Sequence, residues 1–399
     1  MPRSADPRPD GFRVAHVVFD FQGGGMETLV ADLARRFAGR ASISVVSLSG
    51  RAGRMGSAVR PLLDQLEVIR PIPGISMLAP VGLVRRLRAI RPDVVHLHSG
   101  AWFKGALAAR LAGVPTVIYT EHGREHHDPP GRRVLDRLAA SMTDAVVAVS
   151  DRLRTYLHAV IGVPESKLRT VANGVDLQAF SMNGDASELR ASLGIPPTVP
   201  VIGSVGRFER VKGYADLVAA FVRLRATSDS PPSARLVLCG DGPERAALER
   251  QVHESGVGSA VHFTGWVERP APYYRLFDIF ALTSHSEGAP VSLMEAMASG
   301  ALPVVTRVGA NAEILGPPFA GHVVEPGDIG AITTTLRAVL HAPRNPDLRR
   351  LARRRIQGHY NLDRVAAEYE RLYRNGGIGI RPDPAHAGDV AANPQHLYP

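Results

Sequence analysis

Apolar residues in this chain follow two alternating patterns. Short continuous runs at residues 13–19, 43–48, 94–97, 116–119, 145–149 and 168–171 have the β-branched content and length of strands buried on both faces. Between them the apolar positions fall at helical spacing, as in residues 26–37, where Leu29, Val30, Leu33 and Phe37 share a face. Strand alternating with helix predicts a doubly wound parallel sheet over residues 13–178. A polar patch at 181–187 reads as a hinge, and the alternation then restarts. Strands are predicted at 201–205, 236–239, 261–264, 279–283 and 303–306, with helices at 214–224, 243–254, 291–299 and 329–340, giving a second α/β domain over 179–358. An amphipathic segment at 361–374 carries Leu362, Val365, Ala366, Tyr369, Leu372 and Tyr373 on one side. Two such sheets in tandem would place a cleft between them.

A length of 399 residues accommodates two domains, each with its own core. The chain has no run of eighteen apolar residues, and residues 1–12 lack the apolar centre of a signal peptide, so a cytoplasmic location is expected, with a flexible N-terminus. The tail, residues 376–399, is rich in Gly, Pro and Ala without periodicity and is expected to be poorly ordered. Cys239, the single cysteine, sits in the apolar run 236–239 and reads as a small buried hydrophobe.

The net charge of +9 is uneven: residues 1–180 carry 24 Lys and Arg against 16 Asp and Glu, leaving 23 against 22 for the rest. Arg85, Arg86, Arg88 and Arg91 cluster opposite Leu83, Val84, Leu87 and Ile90, and Arg132, Arg133 and Arg137 repeat the theme. An anionic membrane surface, an anionic acceptor or a solvated face each accounts for this pattern. No aromatic residues interleave with these clusters, which disfavours nucleic acid.

The chemistry concentrates in Ser284-His-Ser-Glu287-Gly-Ala-Pro290-Val-Ser-Leu-Met-Glu295, between a strand and a helix-forming run. Pro290 suits the first helical position, where a missing N–H costs nothing, and the N–H groups around it would meet an anion. Glu287 and Glu295 flank that anion, and carboxylates there repel it unless each grips something else, such as hydroxyls on either side of a phosphate. On the loop after the 201–205 strand, Gly206-Arg207 and Lys212 supply two cations suited to a diphosphate, Arg by a fork and Lys as a point charge. Gly23-Gly24-Gly25 follows the first strand and lets backbone approach a ligand closely, but it does not complete G-x-G-x-x-G, since the sixth position is Thr28. His122, in Tyr119-Thr-Glu121-His122-Gly123, ends a strand and could hydrogen-bond a sugar or carry a proton; His126 and His127 lie nearby. No D-x-D occurs, so a carboxylate pair holding a divalent ion on a diphosphate is not expected.

Together these residues resemble the retaining GT-B glycosyltransferases of group 1, also called glycosyltransferase family 4. The resemblance spans about residues 13–375. Its most specific part is Glu287-Gly-Ala-Pro-Val-Ser-Leu-Met-Glu295, the family's E-x7-E signature, followed by Gly300-Ala-Leu-Pro303, one residue longer than the commonest G-x-P spacing. Gly206-Arg207, Lys212-Gly213, Gly240-Asp-Gly242, Asn173-Gly-Val-Asp176 and 321–328 fall in the family's order. The resemblance implies two Rossmann-like domains facing across a cleft: an N-terminal acceptor domain (13–178) and a C-terminal nucleotide-sugar domain (179–358), with the helix within 359–375 returning to the first. It implies that Arg207 and Lys212 bind the donor's diphosphate, with Gly206 and Gly240 beside it. Glu295 would hold the ribose and Glu287 the sugar hydroxyls. Backbone of Gly288, Ala289, Pro290 and Val291 would close on the phosphates, Gly23 and Gly24 would approach the donor, and His122 would touch the sugar or acceptor.

The implied enzyme is a retaining, metal-independent hexosyltransferase using a nucleotide-diphosphate sugar, UDP favoured over GDP, and a glycan or lipid-linked glycan acceptor, as in cell-surface polysaccharide synthesis. It would be cytoplasmic or peripheral on the inner face of the membrane. A nucleotide-sugar epimerase of the same architecture and a non-catalytic basic binding module are the alternatives.

Overall fold

The computed structural model describes residues 11–70, 80–124, 129–226, 234–341 and 345–377. The expectations for residues 1–10 and 378–399 lie outside the described residues, as do His126 and His127. The chain divides into two compact units: residues 1–172 with 363–399, and residues 173–362.

The first unit is built on a seven-stranded, wholly parallel sheet in the order β3-β2-β1-β4-β5-β6-β7. The strands are β1 Arg13–Val18, β2 Ser42–Ser47, β3 Gln65–Val68, β4 Val94–His98, β5 Thr116–Glu121, β6 Ala145–Ala148 and β7 Leu168–Thr170. The central strands are buried throughout, which explains their unbroken apolar runs. β3 escaped the pattern reading because it is an edge strand with no fully buried residue, and its sequence Gln-Leu-Glu-Val is half polar.

The helix Leu362–Arg374 completes this core from the far end of the chain. Val365, Ala366, Tyr369, Leu372 and Tyr373 join Phe12, Leu33, Phe37 and Val147 in one cluster of buried residues. Tyr373 packs against Phe12 and Phe37 at 5.7 and 5.9 Å between ring centres. Tyr369 is fully buried and its hydroxyl lies 3.2 Å from Thr120 Oγ1. The flanking ion pairs, Arg36 with Asp363 and Arg40 with Glu370, are solvent-exposed on at least one side and contribute little beside this burial.

The second unit holds a six-stranded parallel sheet in the order β10-β9-β8-β11-β12-β13. Its strands are β8 Val201–Val205, β9 Arg235–Cys239, β10 Val261–Gly265, β11 Ile279–Leu282, β12 Leu302–Thr306 and β13 Val323–Val324. The extra residue in Gly300-Ala-Leu-Pro303 is absorbed before the strand, where Gly300 at φ 86° closes the preceding helix and Leu302 pairs with Ile279. β13 is too short for periodicity to reveal. The division at Asn173 falls earlier than residues 178/179 and the polar patch at 181–187. The reason is that Arg353 donates to Leu177 O and Phe180 O, and Val175 bridges to Asn361, tying residues 173–180 to the second unit. Cys239 is buried, and burial pushes its thiol up to about 12, so it stays protonated and inert.

Each sheet reverses its strand order at one place, between β1 and β4 in the first and between β8 and β11 in the second. Ligands of open α/β sheets bind beyond the carboxyl ends of the strands at such reversals.

Tyr369→Ala should cost about 3–5 kcal/mol of unfolding free energy, the range for large aromatic truncations in a core, read as a fall in the urea midpoint. A loss under about 1 kcal/mol would show that the terminal helix adds nothing essential to this core.

Candidate functional site

The loops after β8, β9 and β11 are drawn together by glycines that tolerate no side chain. Gly206 N donates to Cys239 O at 3.0 Å, and a Cβ on Gly240, which has φ 150°, would lie 1.9 Å from Gly206 O. Gly213 (φ 63°) ends the short turn Arg210–Lys212, and its Cβ would lie 2.0 Å from Thr283 O at the end of β11. That close approach lets Lys212 reach across the reversal: Lys212 Nζ lies 2.9 Å from both carboxylate oxygens of Glu287. Glu287 Oε1 also accepts from Ser284 Oγ at 2.7 Å. The Glu287 side chain is 6% exposed and that of Lys212 29%. Gly309 backs the same loop, where a Cβ would meet Glu287 O and Gly288 O at 2.4 Å, and Ala310 N donates to Gly288 O.

Pro290 is one position outside the helix Val291–Ala298, as its N-cap, and not at the first helical position as expected. Its ψ of 116° is extended, so the ring sets φ for the approach and the helix begins only at Val291. Among the described residues no side chain caps this helix, which leaves its first-turn N–H groups to attract an anion. Ala289 and Val291 are buried, and Ala289 O accepts from Asn173 Nδ2 at 2.8 Å. Glu295 lies one turn into the helix, is 8% exposed, and its Oε2 accepts from Tyr274 OH at 2.7 Å. Burial, and then the Glu295 charge, push Tyr274 well above the usual phenol range, so it remains a donor.

Of the four charged residues predicted to act together, Lys212 and Glu287 are in direct contact. Glu295 is held separately by Tyr274, and Arg207 shares the Lys212 loop but pairs with Glu209 at 2.9 Å. That Arg207 pair is half exposed, and such pairs are worth about 0–1 kcal/mol, so the guanidinium exchanges partners at little cost.

In the first unit, Gly23 (φ 138°) and Gly24 connect β1 to the helix Gly25–Phe37, and a Cβ on Gly24 would meet Glu27 Oε2 at 2.9 Å. His122 follows β5, its backbone N donating to Ser99 Oγ at 2.9 Å. Its neighbour Glu121 is fully buried. One oxygen accepts from Tyr119 OH and Arg124 Nε at 2.6 and 2.8 Å, the other from Ser99 Oγ at 2.5 Å. Arg124, itself buried, also pairs with Asp136 at 2.9 Å. This buried ionic cluster fixes the loop that presents His122. Burial pushes the His122 imidazole down to about 4 against the opposing pull of Glu121, leaving it neutral near pH 7. Spacing alone assigned no role to Gly309, Ser284, Tyr274 or Ser99. Glu121 entered the sequence reading only as the neighbour of His122, with no role of its own.

The sequence profile of the group 1 glycosyl transferases matches residues 185–357, and that of Glycosyltransferase Family 4 matches residues 23–179. EpsF of Bacillus subtilis (strain 168) is 32% identical over 303 residues, covering 72% of this chain and 77% of EpsF. The UDP-Gal:alpha-D-GlcNAc-diphosphoundecaprenol alpha-1,3-galactosyltransferase of Escherichia coli is 25% identical over 309 residues, covering 75% and 79%. Among solved structures, Anabaena Alr3699/HepE in complex with UDP-glucose is similar with a TM-score of 0.77 at 19% identity, covering 91% of this chain and all of that one. The chain belongs to the group 1 glycosyltransferases of GT-B fold.

The Lys212–Glu287 pair is open to a double-mutant cycle. Lys212→Met leaves a nearly buried carboxylate with Ser284 and should cost about 1–3 kcal/mol, much of it recovered when Glu287→Gln is added. Additive losses in urea unfolding would show that the two side chains do not interact.

Proposed function

We propose that this protein transfers a hexose, with retention at the anomeric carbon and without a metal ion, from a nucleotide-diphosphate sugar to a glycan or lipid-linked glycan acceptor. The observation that carries this reading is the contact of Lys212 with Glu287 at the strand reversal of the second sheet, beside an uncapped helix N-terminus. A cation, a carboxylate and free N–H groups there suit a ligand with phosphate next to hydroxyls.

On binding, Lys212 passes from Glu287 to the diphosphate and Arg207 leaves Glu209 to join it. The N–H groups of Gly288, Ala289 and Val291 close on the phosphates, with Gly206 and Gly240 lining the approach. Glu287, released from Lys212, accepts hydroxyls of the transferred sugar, and Glu295 accepts those of the ribose while Tyr274 holds it. Gly23 and Gly24 let backbone approach the donor closely, and His122 touches sugar or acceptor. As the anomeric carbon–oxygen bond breaks, negative charge develops on the leaving phosphate, and the two cations with the helix terminus stabilise it. The acceptor hydroxyl attacks from the same face and its proton passes to the departing phosphate oxygen.

UDP is favoured over GDP because the HepE structure contains UDP-glucose and the Escherichia coli relative is named for UDP-Gal. The latter's diphosphoundecaprenol acceptor supports a lipid-linked substrate. The helix Pro130–Ser141 adds to this: Val134 and Leu138 are 55% and 50% exposed beside Arg132 and Arg133, a face suited to an anionic membrane surface. Among the described residues no helix is long and apolar enough to cross a membrane.

With a UDP-sugar and acceptor, Lys212→Ala and Glu295→Ala should each lower kcat/KM at least about tenfold, a loss of about 1.4 kcal/mol in transition-state stabilisation. Unchanged kinetics in both would contradict the proposal, as would conversion of the donor to an isomeric sugar nucleotide in the absence of acceptor. For the membrane face, sedimentation with phosphatidylserine-containing vesicles should be lost in Val134→Asp/Leu138→Asp. Equal binding of that variant would refute the assignment.

A further inference from the structure

Two histidines on neighbouring strands and a third on the loop after β5 form a hydrogen-bonded chain. His16 Nδ1 lies 3.0 Å from His98 Nε2, and His98 Nδ1 lies 2.9 Å from His122 Nε2. His16 is in the middle of β1 and His98 at the end of β4, so the chain starts at the strand reversal of the first sheet and runs outward to the loop after β5. Both terminal nitrogens, His16 Nε2 and His122 Nδ1, are shielded from solvent and have no hydrogen-bond partner among the described residues. His96 packs against His16 and His98 but stands outside the chain, because its nitrogens are taken by Tyr373 OH and Thr120 Oγ1, each at 2.7 Å.

Counting protons leaves two arrangements. A neutral imidazole carries one N–H, and each of the two ring–ring contacts uses one proton. Burial depresses all three rings, His16 to about 3, His122 to about 4 and His98 well below the usual value, so no extra proton enters near neutrality. The third proton therefore sits at one end, and placing it sets every tautomer in the chain. If it sat on His16 Nε2, an N–H would be orphaned on a fully buried residue in the middle of a central strand. If it sits on His122 Nδ1, that N–H is shielded as well, but it belongs to a half-buried residue on a loop at the carboxyl edge of the sheet, the end nearer to an incoming oxygen.

We infer that His16 and His98 are positioning residues that hold His122 in its Nδ1–H tautomer, so that His122 meets the sugar or acceptor as a neutral hydrogen-bond donor and not as a general base. The role of the donated bond rests on the transferase reading above, whereas the tautomer does not. Nitrogens of His16, His96 and His98 also lie within 4.8 Å of one another, a spacing open to a metal ion. Binding one through His96 would displace either Tyr373 OH or Thr120 Oγ1, each now at 2.7 Å.

The test is a two-bond proton–nitrogen correlation spectrum of full-length protein labelled with [15N]histidine at pH 7, assigned with His98→Asn and His122→Gln. Pyrrole-type nitrogen at Nδ1 of His16, His98 and His122 is expected. Pyrrole-type Nε2 on His122, or one equivalent of Zn2+ shifting all of His16, His96 and His98, would overturn the inference. Kinetics supply a second reading. His98→Asn keeps a donor toward His122 Nε2 and should stay within about threefold of wild-type kcat/KM, while His98→Leu should lose about tenfold and show His122 switching tautomer. Equal losses in the two variants, with His122 unchanged, would mean that His98 only packs. If neither variant folds, the wild-type spectrum decides. A correct tautomer together with unaffected Lys212→Ala kinetics would sink the transferase mechanism and leave the lock standing.

Discussion

The constraint on which the proposed function depends is a lysine placed 2.9 Å from both oxygens of a nearly buried carboxylate. Burying a carboxylate at 6% exposure is costly without partners, and Lys212 together with Ser284 supplies them for Glu287. A ligand that takes Lys212 must therefore offer Glu287 a replacement donor, or leave a carboxylate stranded. Phosphate alone fails that requirement because it attracts the lysine and repels the glutamate. Phosphate joined to a hydroxylated sugar meets it, since the hydroxyls donate to the carboxylate as the phosphate accepts from the ammonium. Under the proposed function, selectivity for a sugar nucleotide over a bare anion rests on this one ion pair.

The surrounding chain is arranged to keep that pair in register. Gly213 presses against Thr283 O, Gly240 against Gly206 O and Gly309 against the carbonyls of Glu287 and Gly288, so three loops from three strand ends share a few ångströms of space. Any side chain at these positions would push the loops apart and take Lys212 out of reach. The first unit uses a different device for the same purpose. The loop that carries His122 is anchored by the buried Glu121–Arg124–Asp136 cluster and by the two ring–ring contacts of the histidine chain, which fix ring orientation more firmly than apolar packing would.

Much of this was legible in the sequence because both sheets are parallel and buried on both faces, which makes their central strands continuous apolar runs. The reading weakened where that condition lapsed. β3 is a half-exposed edge strand, and β13 is two residues long. The E-x7-E spacing located Glu287 and Glu295 correctly on a loop and one helical turn beyond it, but it could not show that they have different partners, Lys212 for one and Tyr274 for the other. Partnerships of this kind join residues 75 and 21 positions apart, and no local pattern carries them. Pro290 was misplaced by one residue because ring geometry sets φ and leaves ψ, which decides where a helix begins, to the fold. His16 and His98 were invisible for a related reason: on buried strands they look like any other interior position until their rings are seen to meet.

The claim on which the account stands is that the ammonium of Lys212 is shared between Glu287 and a diphosphate. A crystal structure of the protein soaked with a UDP-sugar measures it directly. The account predicts Lys212 Nζ within about 3 Å of a phosphate oxygen, with the Glu287 carboxylate turned to hydroxyls of the sugar. A diphosphate bound elsewhere, with Lys212 still on Glu287, would contradict it.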